Sequence, residues 1–251
     1  MLSILLMYRN NKGLREWSID ISSFKTEFVK RCIDFKIPMH TVKFYSQQDE
    51  DKYIIQYILK DNITDGTYLE IGGCDGILYS NTKTLEDSFG FSGILIEPQP
   101  NFYEKLQKNR PNNECHNCAV SNSSVDYIEF IGDNAQGGIV DTINTDIDKL
   151  SWNNTYKVAN KKMSGILASS RYTYIDIMII DVEGGEMDVL KSIDFTFPIY
   201  CIIIEAHSGE QEKNKIFGEY LKENGFTYHE RQRGNEVWIN QNYFRRSLFK
   251  L

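Results

Sequence analysis

Four short stretches of the chain carry residues whose types and spacing could do chemistry, and each follows an apolar run. The first is Tyr68-Leu69-Glu70-Ile71-Gly72-Gly73-Cys74-Asp75-Gly76, which brings a carboxylate to the end of a strand-like run and then breaks into glycines. Glycine lets a backbone turn sharply and approach a ligand closely. The spacing is E-x-G-x-x-x-G rather than G-x-G-x-x-G, which suits a nucleoside that brings no pyrophosphate to cradle. The second is Glu97, at the end of the next apolar run, where a carboxylate can accept both hydroxyls of a ribose. Pro98 cuts that run off and keeps Glu97 at its tip. A glycine-rich turn or a strand-end Glu is common alone; the two together are much less so. The third stretch, Asp181-Val182-Glu183-Gly184-Gly185-Glu186, follows the most apolar run of the chain. Carboxylates crowded at the mouth of a buried strand repel one another, so perturbed acidities or a cation are expected there. Glu186 reads equally well as an acid decorating a helix N-terminus. Asp181 is the stronger candidate. The fourth, Glu205-Ala206-His207, puts a carboxylate and an imidazole at the same edge.

These residues need a scaffold that brings several strand ends to one side. Strand-like runs cover 67–71, 93–97, 114–120, 175–181 and 199–205, with an alternating side ribbon at 125–131. Helical stretches are expected over 80–89, 100–109 and 213–224, the last with apolar Ile216, Phe217, Tyr220 and Leu221 and a stop at Gly225. Strands alternating with helices give an α/β fold, a doubly wound and mostly parallel sheet with right-handed crossovers. Residues 226–230 and 236–239 close it as a C-terminal antiparallel hairpin. A capping box of Ser46 with Asp49 would open a helical run over 52–60. Residues 132–164 show no periodicity and read as a long functional or disordered loop. Within it Gly137-Gly138 reads as a flexible turn, with a lid hinge as the alternative. Trp152 and Tyr156 are candidate frames for a substrate, whereas Tyr172 and Tyr174 are expected to pack.

The 251 residues hold 28 Lys+Arg against 35 Asp+Glu, a net charge of −7, with 41% hydrophobic and 13% aromatic residues. Those are globular values and exclude a disordered or collagen-like chain. A chain of this size buries about three-quarters of its unfolded surface, enough for one sizeable core. The acidic balance argues against a nucleic-acid groove. Cys32, Cys74, Cys115, Cys118 and Cys201 make an odd count that reads as reduced thiols, and the C-x-x-C at 115–118 has no second pair to complete a zinc site. No run approaches the ~20 apolar residues of a membrane span, and the apolar start at 1–7 is too short for a signal core. A cytoplasmic location is expected.

With these pieces in place, the chain resembles the FkbM-like family of S-adenosylmethionine-dependent methyltransferases. The resemblance rests on Tyr45-Ser46-Gln47-Gln48-Asp49-Glu50-Asp51, the glycine loop at 70–76, Ser80-Asn81-Thr82 and Gly93-Ile94-Leu95-Ile96-Glu97-Pro98. Asn109-Arg110-Pro111, the acidic stretch at 181–186 with Val189-Leu190, and Ile204-Glu205-Ala206-His207 complete it. It runs from 44 to 239 and implies a class I, Rossmann-like methyltransferase domain over 44–251. Residues 1–43 match none of these motifs and are expected to be an N-terminal extension on or near the core. It implies S-adenosylmethionine held by Glu70, Gly72, Gly73, Asp75, Gly76, Ser80, Asn81, Glu97, Pro98, Ala119, Val120 and Asp181, with adenine beside Cys118-Ala119-Val120. Gln47, in a segment with Ser46 and Asp51, would meet the methionine carboxylate. The acceptor would be a hydroxyl on a sugar, glycan or small natural-product scaffold. A hydroxyl is a poor nucleophile, so a base or a metal is expected. His207 is the base by residue type, with ordering of its loop as the alternative. Asp181 and Glu205 stand beside it as catalytic acids or, with His207, as ligands of a divalent cation such as Mg²⁺. The partners implied are a small-molecule or sugar acceptor, with no nucleic acid and no membrane span, and a homodimer is compatible. The competing reading is a methyltransferase-fold binding module without catalysis, although such a module need not keep Gly72, Gly76, Glu97 and Asp181 together. A nicotinamide-dependent oxidoreductase would call for G-x-G-x-x-G, which the loop does not supply.

Overall fold

The most apolar runs of the sequence become the centre of a sheet. A computed structural model describes residues 3–10, 13–20, 42–59, 65–132, 137–142, 155–206, 209 and 211–243. Along the chain run β1 (Ser3–Asn10), β2 (Gly13–Asp20), α1 (Glu50–Tyr53) with a π-helical turn (Ile54–Ile58), β3 (Thr67–Ile71), α2 (Lys83–Phe89) and β4 (Ser92–Ile96). Then come α3 (Pro100–Asn109), β5 (Glu114–His116), β6 (Ala119–Val120), β7 (Tyr127–Gly132), β8 (Gly137–Ile139), β9 (Thr155–Lys161) and α4 (Met163–Ser169). The last elements are β10 (Ile175–Ile180), α5 (Glu186–Ser192), β11 (Ile199–Glu205), α6 (Gln211–Glu223), β12 (Thr227–Gln232) and β13 (Asn235–Ile239). Two compact units divide the chain, one of residues 1–65 with 79–91 and one of 66–78 with 92–251.

In the second unit a seven-stranded sheet has the order β12-β13-β11-β10-β3-β4-β5. β5, β4, β3, β10 and β11 run parallel, and β13 and β12 add an antiparallel hairpin at the far edge. All six residues of β10 are buried, as a strand covered on both faces requires. Met163, Ile166 and Leu167 form the buried stripe of α4, and they join Met178, Ile180, Ile202, Ile204, Leu190 and Phe217 in one core. Asp176 interrupts the apolar run of β10 at its amino end, where its carboxylate accepts from the backbone and hydroxyl of Thr67 at 2.8 and 3.2 Å. A four-stranded sheet, β6-β9-β7-β8, stands apart from the main one.

Three sequence expectations change here. Residues 132–164 do not form a single loop, because β8, β9 and the start of α4 lie within them. β9 exposes Thr155 and Lys157 around buried Val158, and its polar composition hides a period of two that its pairing with β7 reveals. Gly137-Gly138 belongs to β8 rather than to a turn. A Cβ on Gly137 would lie 2.9 Å from the Phe130 ring, so the missing side chain makes room for that ring. The run 114–120 splits into β5 and β6, which belong to different sheets. Tyr156 bonds Gly132 O at 3.1 Å and packs on the small sheet's core, and Tyr172 packs against the main one. Trp152 lies outside the described residues.

In the first unit β1 and β2 pair as an antiparallel hairpin. α1 begins earlier than expected and the Ser46–Asp49 capping box does not form: Asp49 is the N-cap, left-handed at φ 65° and without a side-chain cap bond. The reason is Asp51. Its fully buried carboxylate takes Ser46 Oγ (2.6 Å), Thr84 Oγ1 (2.6 Å), Tyr45 N (2.7 Å) and Lys52 N (2.8 Å), so Ser46 turns to it instead. A buried charge needs such a set of donors. Among the described residues no helix is long and apolar enough to cross a membrane.

Candidate functional site

From β3 the chain builds outward through β4 to β5, then returns to the other side of β3 with β10. The carboxyl ends of β3 and β10 therefore flank the switch point, where open α/β sheets bind ligands. Gly72 opens the loop after β3 with φ +86°, and a Cβ there would lie 2.4 Å from the carbonyl oxygen of Asp181. Both backbone angle and space demand glycine. Gly73 lies against Leu106 and Gly76 against Arg110; a Cβ added to either glycine would sit 2.7 Å from the nearest side-chain atom. The loop is thus laid flat between the end of β10 and the helix α3.

The same loop is tied to the end of β4. Gly72 N and Gly73 N both donate to Ile96 O at 3.0 Å. Cys74, left-handed at φ 49°, donates its N–H to Glu97 Oε2 at 2.9 Å, and Gln99 N donates to Glu97 Oε1 at 2.7 Å. The two elements paired in the sequence thus meet directly. Glu97 is 4% exposed, and burial pushes its carboxyl up to about 7 against the pull of those two N–H bonds. Burial also raises the Cys74 thiol to about 12, so it is an inert neighbour. Asp75 closes the turn, its Oδ1 accepting from Ile77 N (2.9 Å) and Leu78 N (2.6 Å). Asn117 Nδ2 donates to the carbonyls of Glu97 (2.8 Å) and Pro98 (2.9 Å), fixing the strand tip.

This arrangement suits a nucleoside. Each Glu97 oxygen carries one of these N–H bonds and can still accept another, which a ribose diol would supply. His116, whose carbonyl accepts Glu97 N at 3.0 Å, has a buried Nε2 with no hydrogen-bond partner among the described residues. Burial, and then Lys161, lower its pKa and keep the ring neutral. Ala119 and Val120 are buried in β6, and Cys118 and Val120 reach the main core. Glu70 is buried within β3.

The acidic side of the edge is built by β10 and β11. One carboxylate oxygen from each of Asp181, Glu183 and Glu205 lies within 4.8 Å of the others, with Asp181 exposed and the other two half-buried. Glu205 bears the cost of this crowding. Burial first, then the charges of Asp181, Glu183 and Glu186, push its carboxyl up to about 9 despite Lys213. Glu186 is more than a helix-end decoration: it is 1% exposed, bonds Gly184 N at 2.9 Å and pairs with Lys213 Nζ at 2.6 Å. His207 lies outside the described residues.

Gln47, Ser80 and Asn81 belong to the first unit. Gln47 is half-buried, and Ser80 is buried with its Oγ accepting from Thr82 N (3.3 Å) and Lys83 N (3.1 Å) to open α2. An isolated bridge pairs Ser46 with Tyr79 just before it. Asn109 and Arg110, which the sequence offers only as part of a motif, prove to touch the glycine loop. Their types gave little warning, since a polar or basic residue at a helix end ordinarily faces solvent.

A parallel sheet with this switch point, a glycine loop joined to a strand-end acid, and an antiparallel hairpin at one edge define a class I methyltransferase fold. The family model of the methyltransferase FkbM domain matches residues 70–228, well over half of the chain, and the protein belongs to that family. Among solved structures, an FkbM methyltransferase from Methylobacillus flagellatus is 14% identical with a TM-score of 0.46, covering 78% of this chain and 48% of that one. The chain spans about half the length of that protein. The METTL16 methyltransferase domain is 12% identical with a TM-score of 0.45, covering 93% of this chain and 86% of that one. No curated protein sequence matches the chain.

Proposed function

We propose that the protein is an S-adenosylmethionine-dependent O-methyltransferase acting on a hydroxyl of a sugar, glycan or small natural-product scaffold. The observation that carries the reading is the hydrogen bond from Cys74 N to Glu97 Oε2, which makes one polar surface of the glycine loop and the strand-end acid. Glu97 would receive the ribose hydroxyls. Glu70, Gly72, Gly73, Asp75 and Gly76 would shape the adjoining backbone, with Pro98, Ala119 and Val120 on the base side and Asp181 across from Gly72. Gln47, Ser80 and Asn81 enter on the family resemblance. Bound there, the cofactor supplies a methyl group on a sulfonium, for which orientation of the acceptor is the main requirement.

The acceptor hydroxyl must still lose a proton. Burial and the neighbouring charges of Asp181, Glu183 and Glu186 raise the Glu205 carboxyl to about 9, which fits a hydrogen-bond donor to the acceptor. By residue type His207 would be the base, and Asp181 would be a further catalytic carboxylate. If a divalent cation bound there instead, Asp181, Glu183 and Glu205 would be its oxygen ligands, and Glu205 would then be deprotonated rather than a donor. The domain takes in 44–251 with 1–43 as an extension. A reduced, cytoplasmic setting agrees with free Cys74, Cys115, Cys118 and Cys201. The test is turnover of S-adenosylmethionine by the full chain against sugars, sugar nucleotides and hydroxylated scaffolds, with and without EDTA. The expected result is demethylated cofactor accumulating only with a hydroxyl acceptor. Binding of the cofactor with no turnover on any of them would favour the binding-module reading.

A further inference from the structure

The end of α3 grips the glycine loop at two successive carbonyls. Asn109 Nδ2 donates to Asp75 O at 2.8 Å, and Arg110 Nη1 donates to Gly76 O at 3.0 Å. Arg110 is fully buried, an expensive place for a cation unless its donors are occupied. Its Nη2 donates to the Tyr68 hydroxyl and its guanidinium lies 5.3 Å from the centroid of that ring. Tyr68 in turn donates to Asn113 Oδ1 at 2.8 Å, which also receives Gly93 N at 2.8 Å. The chain of bonds therefore runs from the loop through Arg110 to β3 and the start of β4. Packing repeats the pattern: Gly73 meets Leu106 of α3, and Gly76 meets Arg110, the C-cap residue four positions further on.

We propose that Asn109 and Arg110 are positioning residues for the cofactor, clamping the Asp75–Gly76 turn in the shape that meets the ligand. The inference rests on the glycine loop being the cofactor site. The guanidinium suits the task because its planar fork holds Gly76 O and the Tyr68 hydroxyl at a fixed spacing, whereas the donors of a lysine ammonium all radiate from one nitrogen. The Asn109 amide holds the carbonyl of the preceding peptide, so two successive peptide planes of the turn are fixed together.

The experiment measures binding of S-adenosylhomocysteine by calorimetry, melting temperature, and hydrogen exchange of the peptide covering 72–80, on the full chain. The variants are Asn109→Asp, Asn109→Gln and Arg110→Lys. Asn109→Asp keeps the size but removes the donor, and is expected to weaken binding about tenfold, with faster exchange confined to 72–80 and little change in melting temperature. Asn109→Gln keeps a donor and should recover part of that loss, which a role in bulk stability alone would not produce. Arg110→Lys should weaken binding by more than tenfold. If it does not fold, Asn109→Asp decides. Wild-type affinity in a folded Asn109→Asp protein overturns the clamp while leaving the cofactor reading intact. A wild-type protein that binds no S-adenosylhomocysteine overturns both.

Discussion

At the scale of single residues, Glu97 sets the terms for the site. It is buried, its two oxygens are each bonded to a backbone N–H, and its carboxyl is held near neutrality by loss of solvent. A carboxyl whose pKa is raised on folding favours the folded state when protonated. Its contribution is therefore present below about 4.5, the usual carboxylate value, and is lost as pH rises through about 7. The full shift corresponds to about 3 kcal/mol. Denaturant unfolding of the ligand-free protein should show stability falling across that window, and Glu97→Gln should flatten this part of the curve. Glu205, raised to about 9, adds a fall of the same sign that continues to higher pH and survives in the variant. Equal slopes for wild type and Glu97→Gln between pH 4.5 and 7 would contradict the assignment.

At the scale of elements, what the sequence made legible was whatever depended on apolar runs and punctuation. β10 and β11 were readable because a strand buried on both faces is almost wholly apolar. α3 was readable from Pro100 at its start. β9 was not, because a strand this rich in Thr, Lys and Asn shows no clear hydrophobic period, and its partners β7 and β6 define it. The capping box failed because local spacing cannot foresee that Asp51 would be buried and compete for Ser46. The glycine loop was legible as a turn, but its second purpose was hidden, since Leu106, Arg110 and Asp181 are distant in sequence. That purpose has a consequence for Gly72. Alanine there meets both a left-handed backbone and the Asp181 carbonyl at 2.4 Å. Gly72→Ala should cost about 2 kcal/mol or more in thermal or denaturant unfolding and abolish cofactor binding. A stable, fully binding variant would show that β3 and β10 do not approach as described.

At the scale of the molecule, the sheet order brings together residues that the chain keeps far apart. Winding outward from β3 and then back to β10 puts Gly72, Glu97, Asp181 and Glu205 on the carboxyl edge of one sheet. All four were legible in the sequence because each follows a buried run. Their relation was not, because it depends on the order of strands. The same order explains where part of the excess of acidic residues lies: Glu97, Asp181, Glu183, Glu186 and Glu205 end or follow strands whose carboxyl ends form the edge that would receive a sulfonium. Everything proposed for this edge depends on its binding S-adenosylmethionine through Glu97. Calorimetric titration of wild type and Glu97→Gln with S-adenosylhomocysteine tests that most directly. The expected result is one site per chain in the wild type and affinity at least about tenfold weaker in the variant. No heat and no thermal shift with the wild type, or equal affinity in the two proteins, would contradict it.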